Sequence, residues 1–308
     1  AGLANDFVHL LVLRGAGGLG STMFSVASFS LLLRIVSADQ RGRAAAAFQG
    51  GFLIGGLAGP AVGGIVIAIS LRAPFFVYSF TLLFAAAASA FFLNKHVKKD
   101  GQQKEKSKVL NQLKLFVNAV KNRAYAAALS VNLATGFVSF GIRSSIIPIF
   151  VVEELQSSPS LIGLGFLATS ITQAAFLSFA GKDTDLNGRK PSMIFGTSTL
   201  FVSVLVLVNF ETPLGVLVST AIAGIGAAFM VSAPAAVVGD VTGGKQSGPV
   251  VAAFQISSDF GSIIGPIVAG SLVDSLGFAA AFLTGAAISL LAVFFSSIMP
   301  ETKPKTNK

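Results

Sequence analysis

The 308-residue chain has no cysteine and no tryptophan, two histidines and two tyrosines, and only 11% charged residues. Without cysteine there is neither a disulfide framework nor a thiolate metal site. His9 and His96 are far apart in the chain and offer no metal-ligand cluster. A soluble domain carries roughly one quarter charged residues, more than twice the share here. The scarcity of charge excludes an ordinary water-soluble globule and a disordered segment. What the chain has in excess is apolar surface: 53% hydrophobic residues, 28 of them phenylalanine, and a mean hydropathy of +0.78.

A helix needs about 20 apolar residues to cross a hydrocarbon core of roughly 30 Å. Nine segments qualify, near 8–31, 46–69, 74–93, 124–149, 159–180, 191–209, 214–236, 247–270 and 277–298. Polar punctuation separates most of them. Stretches such as 198–208 and 286–295 are continuously apolar and lack the alternation of a membrane β-barrel. The first segment is no signal peptide, since it has no basic n-region and carries Arg14 inside its apolar run.

The net charge of +9 has a topological meaning. With alternate loops placed on opposite sides, 19 of the 22 basic residues fall on one side; Arg14, Arg72 and Arg143 are the remainder. The positive-inside rule puts the basic side, and the C-terminus, in the cytoplasm, and nine spans put residue 1 on the outer side. No nucleic-acid partner is needed to explain the charge. The one long loop, from Asn94 to Arg123, starts as a lysine-rich solvated linker. It continues with Val109, Leu113, Phe116, Val117 and Val120 at helical spacing. That pattern reads equally as a helix lying at the inner membrane surface and as an ordinary linker helix.

The sequence repeats itself. Residues 42–64 and 248–270 align without a gap: Gly42 with Gly248, the AAFQ of 46–49 with that of 252–255, Gly55 with Gly261, Gly59-Pro60 with Gly265-Pro266, and Gly64 with Gly270. Every pair is 206 residues apart, a period of six spans in the same sense, as in transporters built from parallel repeats. The second copy is complete. The first, by this spacing, is expected to start about 80 residues before residue 1, with three further helices; a genuine nine-helix protein is the alternative.

These residues resemble the major facilitator superfamily, and within it the drug/proton antiporters. Leu13-Arg14-Gly15-Ala16-Gly17-Gly18-Leu19-Gly20 resembles the motif of the family's fourth helix. Gly55 to Gly64, with Gly59, Pro60 and Gly63, resembles the antiporter motif of the fifth. Gly181 to Lys190, with Asp183, Asp185, Gly188 and Arg189, resembles the loop motif between helices eight and nine, with Lys182 and Asn187 departing from its pattern. Met299-Pro300-Glu301-Thr302 resembles the ending after helix twelve. The resemblance implies an all-α polytopic membrane protein of two helical bundles, with nine of twelve expected transmembrane helices in this chain. It further implies a partial N-terminal bundle over 1–94, a cytoplasmic linker with an amphipathic helix over 95–123, a six-helix bundle over 124–299 and a tail over 300–308.

The function implied is secondary active transport: proton-coupled efflux of small lipophilic or cationic compounds across the plasma (inner) membrane by alternating access. Its partners would be the bilayer and a small-molecule substrate. The protein is expected to be a monomer at full length, driven by a proton gradient and using no cofactor or metal. Alternatives are a transporter of a polar metabolite such as a sugar or organic anion, and an inactive truncated fragment. An enzyme is not expected: a membrane-embedded hydrolase needs a constellation of His, Ser or metal ligands within its spans, and the one histidine near a span is His9.

Candidate transport and coupling residues are Arg14, Asp259 and Arg143. Arg14 is either a snorkelling arginine or, as the resemblance implies, one facing the cavity and tuning a carboxylate. Asp259 stands 12 residues past Ser247, about 18 Å along a helix, and is either a protonatable acid at mid-membrane or a structural acid bonded to Ser258 or a neighbouring helix. Arg143, near the outer end of its span, either attracts an anionic substrate, pairs with Glu153 or Glu154, or snorkels. Gly55, Gly59, Pro60, Gly63 and Gly64 are expected to allow close helix approach and a bend, with Gly261, Gly265, Pro266 and Gly270 as their repeat equivalents. Asp183, Asp185, Gly188 and Arg189 are expected to form a gating charge relay or a simple turn. Arg43 is expected to pair with the loop before residue 1.

Overall fold

The computed structural model describes residues 6–67, 73–100, 116–243 and 248–303, and every regular element among them is helical. The helices are α1 (Phe7–Ile35), α2 (Arg41–Ile67), α3 (Ala73–Asp100), α4 (Arg123–Glu154), α5 (Ser160–Leu186), α6 (Arg189–Asn209), α7 (Pro213–Thr242), α8 (Gly248–Leu276) and α9 (Phe278–Ile298). Each predicted span falls on one of them. Seven of the described helices are long and apolar enough to cross a membrane, and α3 contributes a shorter apolar run over Ala73–Ser89. Helix α3 runs on to Asp100, into the predicted linker. Of the predicted linker helix only 116–120 lies among the described residues, and it is helical.

Helix ends follow the turn chemistry of the sequence. Asn122 caps α4 by accepting from the Ala124 amide, and Thr212 caps α7 by accepting from Gly215, with Pro213 in the first turn where its missing N–H costs nothing. Gly243 closes α7 in the left-handed conformation at φ 60°. Helix α4 is unusual: over Phe137–Ile146 and Phe150–Glu154 its turns widen to the π form on either side of Pro148, which has no N–H to donate. Ser144 and Ser145 donate their hydroxyls to the carbonyls of Ser139 and Phe140, five residues back, in register with the widened turns.

The chain divides into two compact units. One comprises Ala1–Ser25 and Phe52–Gln112; the other comprises Val26–Gly51 and Leu113–Lys308. In the first, the described residues of α1 and α3 carry large exposed apolar side chains, among them Phe7, Met23, Phe80, Leu83 and Phe84. In the second, α7 is the most buried helix and packs against α4, α5 and α6, while α8 and α9 pack on α4 and on each other. Small residues set the approach. A methyl group added at Gly141 would stand 2.6 Å from the Cα of Gly265, and one at Gly261 would collide with the Leu133 carbonyl oxygen. Across the same seam the Tyr125 hydroxyl donates to the Val250 carbonyl at 2.7 Å, and the Asn132 amide donates to the Phe254 carbonyl. Thr169, Thr172 and Ser219 likewise donate to carbonyls of neighbouring helices. Backbone proximity and such hydroxyl bonds hold helices together where lipid removes the hydrophobic drive between them.

Candidate functional site: a charge network at one end of the helices

The residues of the loop 181–190 fold back on the start of α2. Asp185, at the end of α5, is almost fully buried, and its carboxylate accepts from the first free amides of α2: Gly42 at 2.8 Å and Arg43 at 3.0 Å. A helix start exposes unpaired N–H groups and the positive end of its dipole, so a carboxylate there is doubly stabilised. The Arg43 Nε also donates to Asp185 at 3.2 Å, with its side chain half exposed. Space at this crossing is reserved for glycine: a methyl group on Gly42 would stand 2.8 Å from the Gly181 carbonyl oxygen.

Arg189, the first residue of α6, is fully buried and ties two acids together. Its Nε donates to Asp240 at 2.9 Å, its Nη1 donates to the Thr184 carbonyl at 3.0 Å, and the same nitrogen lies 3.7 Å from Asp185. Asp240, in the last turn of α7, also accepts from Arg41 Nη1 at 2.7 Å and from the Thr302 hydroxyl at 3.0 Å. The result is a continuous chain, Arg43–Asp185–Arg189–Asp240–Arg41, with charges alternating in sign. Three guanidinium groups share two carboxylates, so neither acid is left unpaired in a buried site.

Glu301 repeats at α6 what Asp185 does at α2. Its carboxylate accepts from the amides of Arg189 at 2.9 Å and Lys190 at 3.0 Å. Gly188 lets the chain make this turn: its φ of 119° is a conformation side chains avoid, and a methyl group there would stand 2.5 Å from the Glu301 carboxylate. Asp183 takes a local part only, accepting from the Asn187 amide and the Ser192 hydroxyl at 2.6 Å each.

The structure therefore brings Arg43, Asp185, Gly188 and Arg189 into one network, with Asp183 beside it. Among the described residues Arg43 pairs with Asp185. Arg41, Asp240, Glu301 and Thr302 complete the site; the sequence marked Glu301 and Thr302 only as part of the ending after the last helix, and did not single out Arg41 or Asp240. The available signal was positional: Asp240 is an acid just past the end of an apolar span, and Arg41 is two residues from Arg43 on the basic side.

The other candidates stand elsewhere. Asp259 lies on an exposed face of α8, and its carboxylate bonds to neither Ser258 nor any other described side chain. Arg143 sits in the widened stretch of α4 and pairs with neither Glu153 nor Glu154, which are exposed. Gly261 and Gly265 make the close approach expected of them, whereas Gly270 and Gly55 have open space where a methyl group would go. Pro266 lies inside α8 without interrupting it. The side chains of Arg14 and Pro60, and the surroundings of Gly59, Gly63 and Gly64, lie outside those described, although all are on helices. Among the described residues no group of His, Asp or Glu is arranged to hold a metal.

A sequence model of the Major Facilitator Superfamily matches residues 1–142 and 129–308, which together cover the chain. The chain belongs to the major facilitator superfamily. It is thus a multi-pass membrane protein of a transporter family. It is similar to the synaptic vesicular amine transporter of Mus musculus, at 22% identity over 280 residues, covering 89% of this chain and 52% of that protein. Multidrug resistance protein 1 of Bacillus subtilis matches at 27% identity over 183 residues, 58% of this chain and 46% of that protein. Citrate exporter 1 of Aspergillus niger matches at 30% over 155 residues, 49% and 29% respectively. The chain spans about half the length of the first of these relatives. Among solved structures, a proton:xylose symporter of the superfamily bound to 6-bromo-6-deoxy-D-glucose superimposes with a TM-score of 0.71 at 17% identity. That match covers 96% of this chain and 72% of the symporter, and it establishes the fold.

Proposed function

We propose that the chain works as a secondary transporter of the plasma membrane, exporting small lipophilic or cationic compounds in exchange for protons by alternating access. The observation that carries this reading is the network from Arg43 to Arg41. It joins the start of α2 to the ends of α5 and α7 and the start of α6 by charges that can part and rejoin. Such a network is a latch: buried ion pairs hold one arrangement firmly, and two discrete arrangements are what a rocking transporter requires. On the positive-inside assignment the latch closes the cytoplasmic side. The amine-transporter and multidrug-resistance relatives support a lipophilic or cationic cargo. The citrate exporter supports a second reading, an organic anion.

Asp259 is the proposed proton carrier. It is an unpartnered carboxylate far from either end of a membrane-spanning helix, and ionisable residues at such depth mark ion and proton pathways. In proteoliposomes with an acidic interior, added tetraphenylphosphonium is expected to drive proton exit well above that of protein-free vesicles. Asp259→Asn is expected to bring the flux down to the protein-free level while the variant remains folded. Equal flux from the variant and the parent would remove Asp259 from the coupling step. Parent flux no higher than that of empty vesicles would overturn the transport reading itself.

A further inference from the structure

The 206-residue repeat carries geometric information beyond the helix count. Two copies in the same sense share an axis along the membrane normal, and substrate sites lie at the interface between such copies. When a residue and its repeat equivalent touch each other, or touch one common neighbour, both lie close to that axis. Two places meet this condition, and all their residues belong to the second unit. Phe48 on α2 and Phe254 on α8 are equivalents, and both pack on Phe29 of α1, with ring centroids at 5.5 Å and 6.3 Å. Leu33 on α1 and Gly239 on α7 are equivalents too, and they face each other: a methyl group on Gly239 would stand 3.4 Å from Leu33 Cδ2.

These contacts share one depth. Phe48 is seven residues past Arg41 and Phe254 six past Gly248, about 10 Å into the helices from the end that carries the charge network. The side chains there are apolar. Phe29, Leu33 and Phe254 are buried, and so are Ala45 and Val251, a further equivalent pair one turn nearer the network. The charge network and the rings differ in what they can do. Ion pairs hold helices together, but polar groups also carry water and protons along themselves. An apolar constriction expels water and blocks both.

We infer that Phe29, Phe48 and Phe254, with Leu33 against Gly239, form the seal of the translocation path on the side of the charge network. This rests on the transport reading and deepens it by dividing the closed state between two devices. The arginine–carboxylate chain holds the helices, and the rings above it keep water out. Such a seal depends on apolar bulk rather than on ring stacking, so leucine can replace phenylalanine in it and asparagine cannot.

Passive proton leak tests this in proteoliposomes under an imposed pH gradient, with valinomycin and potassium clamping the voltage and no substrate present. The parent and Phe29→Leu are expected to leak at one low rate, and Phe29→Asn and Phe254→Asn several-fold faster. Phe282→Ala is the packing control. Phe282 is fully buried on α9 against Phe150, so its truncation is expected to lower stability without raising the leak. Thermal unfolding shows which variants are folded, and Phe48→Asn, at the partly buried member of the trio, replaces either asparagine variant that is not. Leak from folded asparagine variants equal to that of the parent would overturn the inference and leave the rings as ordinary core. Leak from Phe282→Ala matching theirs would overturn it too, because loosened packing alone would then open the path. The leak needs no substrate, so failure here leaves the tetraphenylphosphonium experiment standing, and failure of that experiment leaves this one readable.

Discussion

Replacing Arg189 by glutamine is expected to destabilise the second unit by about 3–5 kcal/mol, the cost of breaking a buried ion pair from one side. Arg189 is fully buried, and it bonds Asp240 directly while lying 3.7 Å from Asp185. Glutamine has no charge and no guanidinium fork, so both acids lose part of their compensation at once. Asp240 would keep Arg41 and Thr302, and Asp185 would keep Arg43 and the α2 amides, so unfolding is not expected to be complete. Arg189→Lys is expected to recover only part of the loss, because a point charge cannot reach Asp240 and the Thr184 carbonyl in the same plane. Retention of folded protein on heating, followed by size-exclusion chromatography, measures both variants. A change no larger than that of Arg43→Ala, whose side chain is half exposed, would show that Arg189 is not the centre of the network.

The second large effect is expected at the seam between α4 and α8. Gly261→Val places a branched side chain against the Leu133 carbonyl oxygen and the Phe137 amide, which are backbone and cannot turn aside. Overpacking a core typically costs about 1–3 kcal/mol, and a backbone-to-backbone contact falls at or beyond the upper end of that range. The bonds from Tyr125 to Val250 and from Asn132 to Phe254 cross the same seam, so separating the helices would strain them as well. Gly270→Val is the internal control. It lies on the same helix with open space around it, and it should change stability by no more than about 0.5 kcal/mol, as surface substitutions do. Similar losses at Gly261 and Gly270 would mean that the seam is not a close contact.

The membrane spans were legible because hydropathy is a local property, and so were the glycines of the repeat. The repeat itself did not show which glycines are crowded. Gly55 and Gly261 occupy matching places, yet only Gly261 meets a neighbouring backbone. The loop residues Asp185 and Arg189 were found through their motif, but their partners were not. Arg41 and Asp240 are separated by 199 residues, and Gly42 and Asp185 by 143. Spacing along the chain carries no information about contacts of that range. Arg143 shows the opposite failure. Its proximity in sequence to Glu153 and Glu154 suggested a pair, but three helical turns separate them.

On the proposed function, the Arg43-to-Arg41 network is a latch that opens. The chain has no cysteine, so paired reporters need no background substitutions. Spin labels at Ala47→Cys on α2 and Lys182→Cys on α5, both exposed positions, sit on the two helices that the latch joins near the Ala46–Gly181 contact. Electron-electron distance measurement in bilayers should show two populations, short and long. Asp185→Asn, which weakens the hold on the start of α2, should enlarge the longer one. A single short distance, unchanged by Asp185→Asn, would contradict the latch and leave the network as a fixed structural joint.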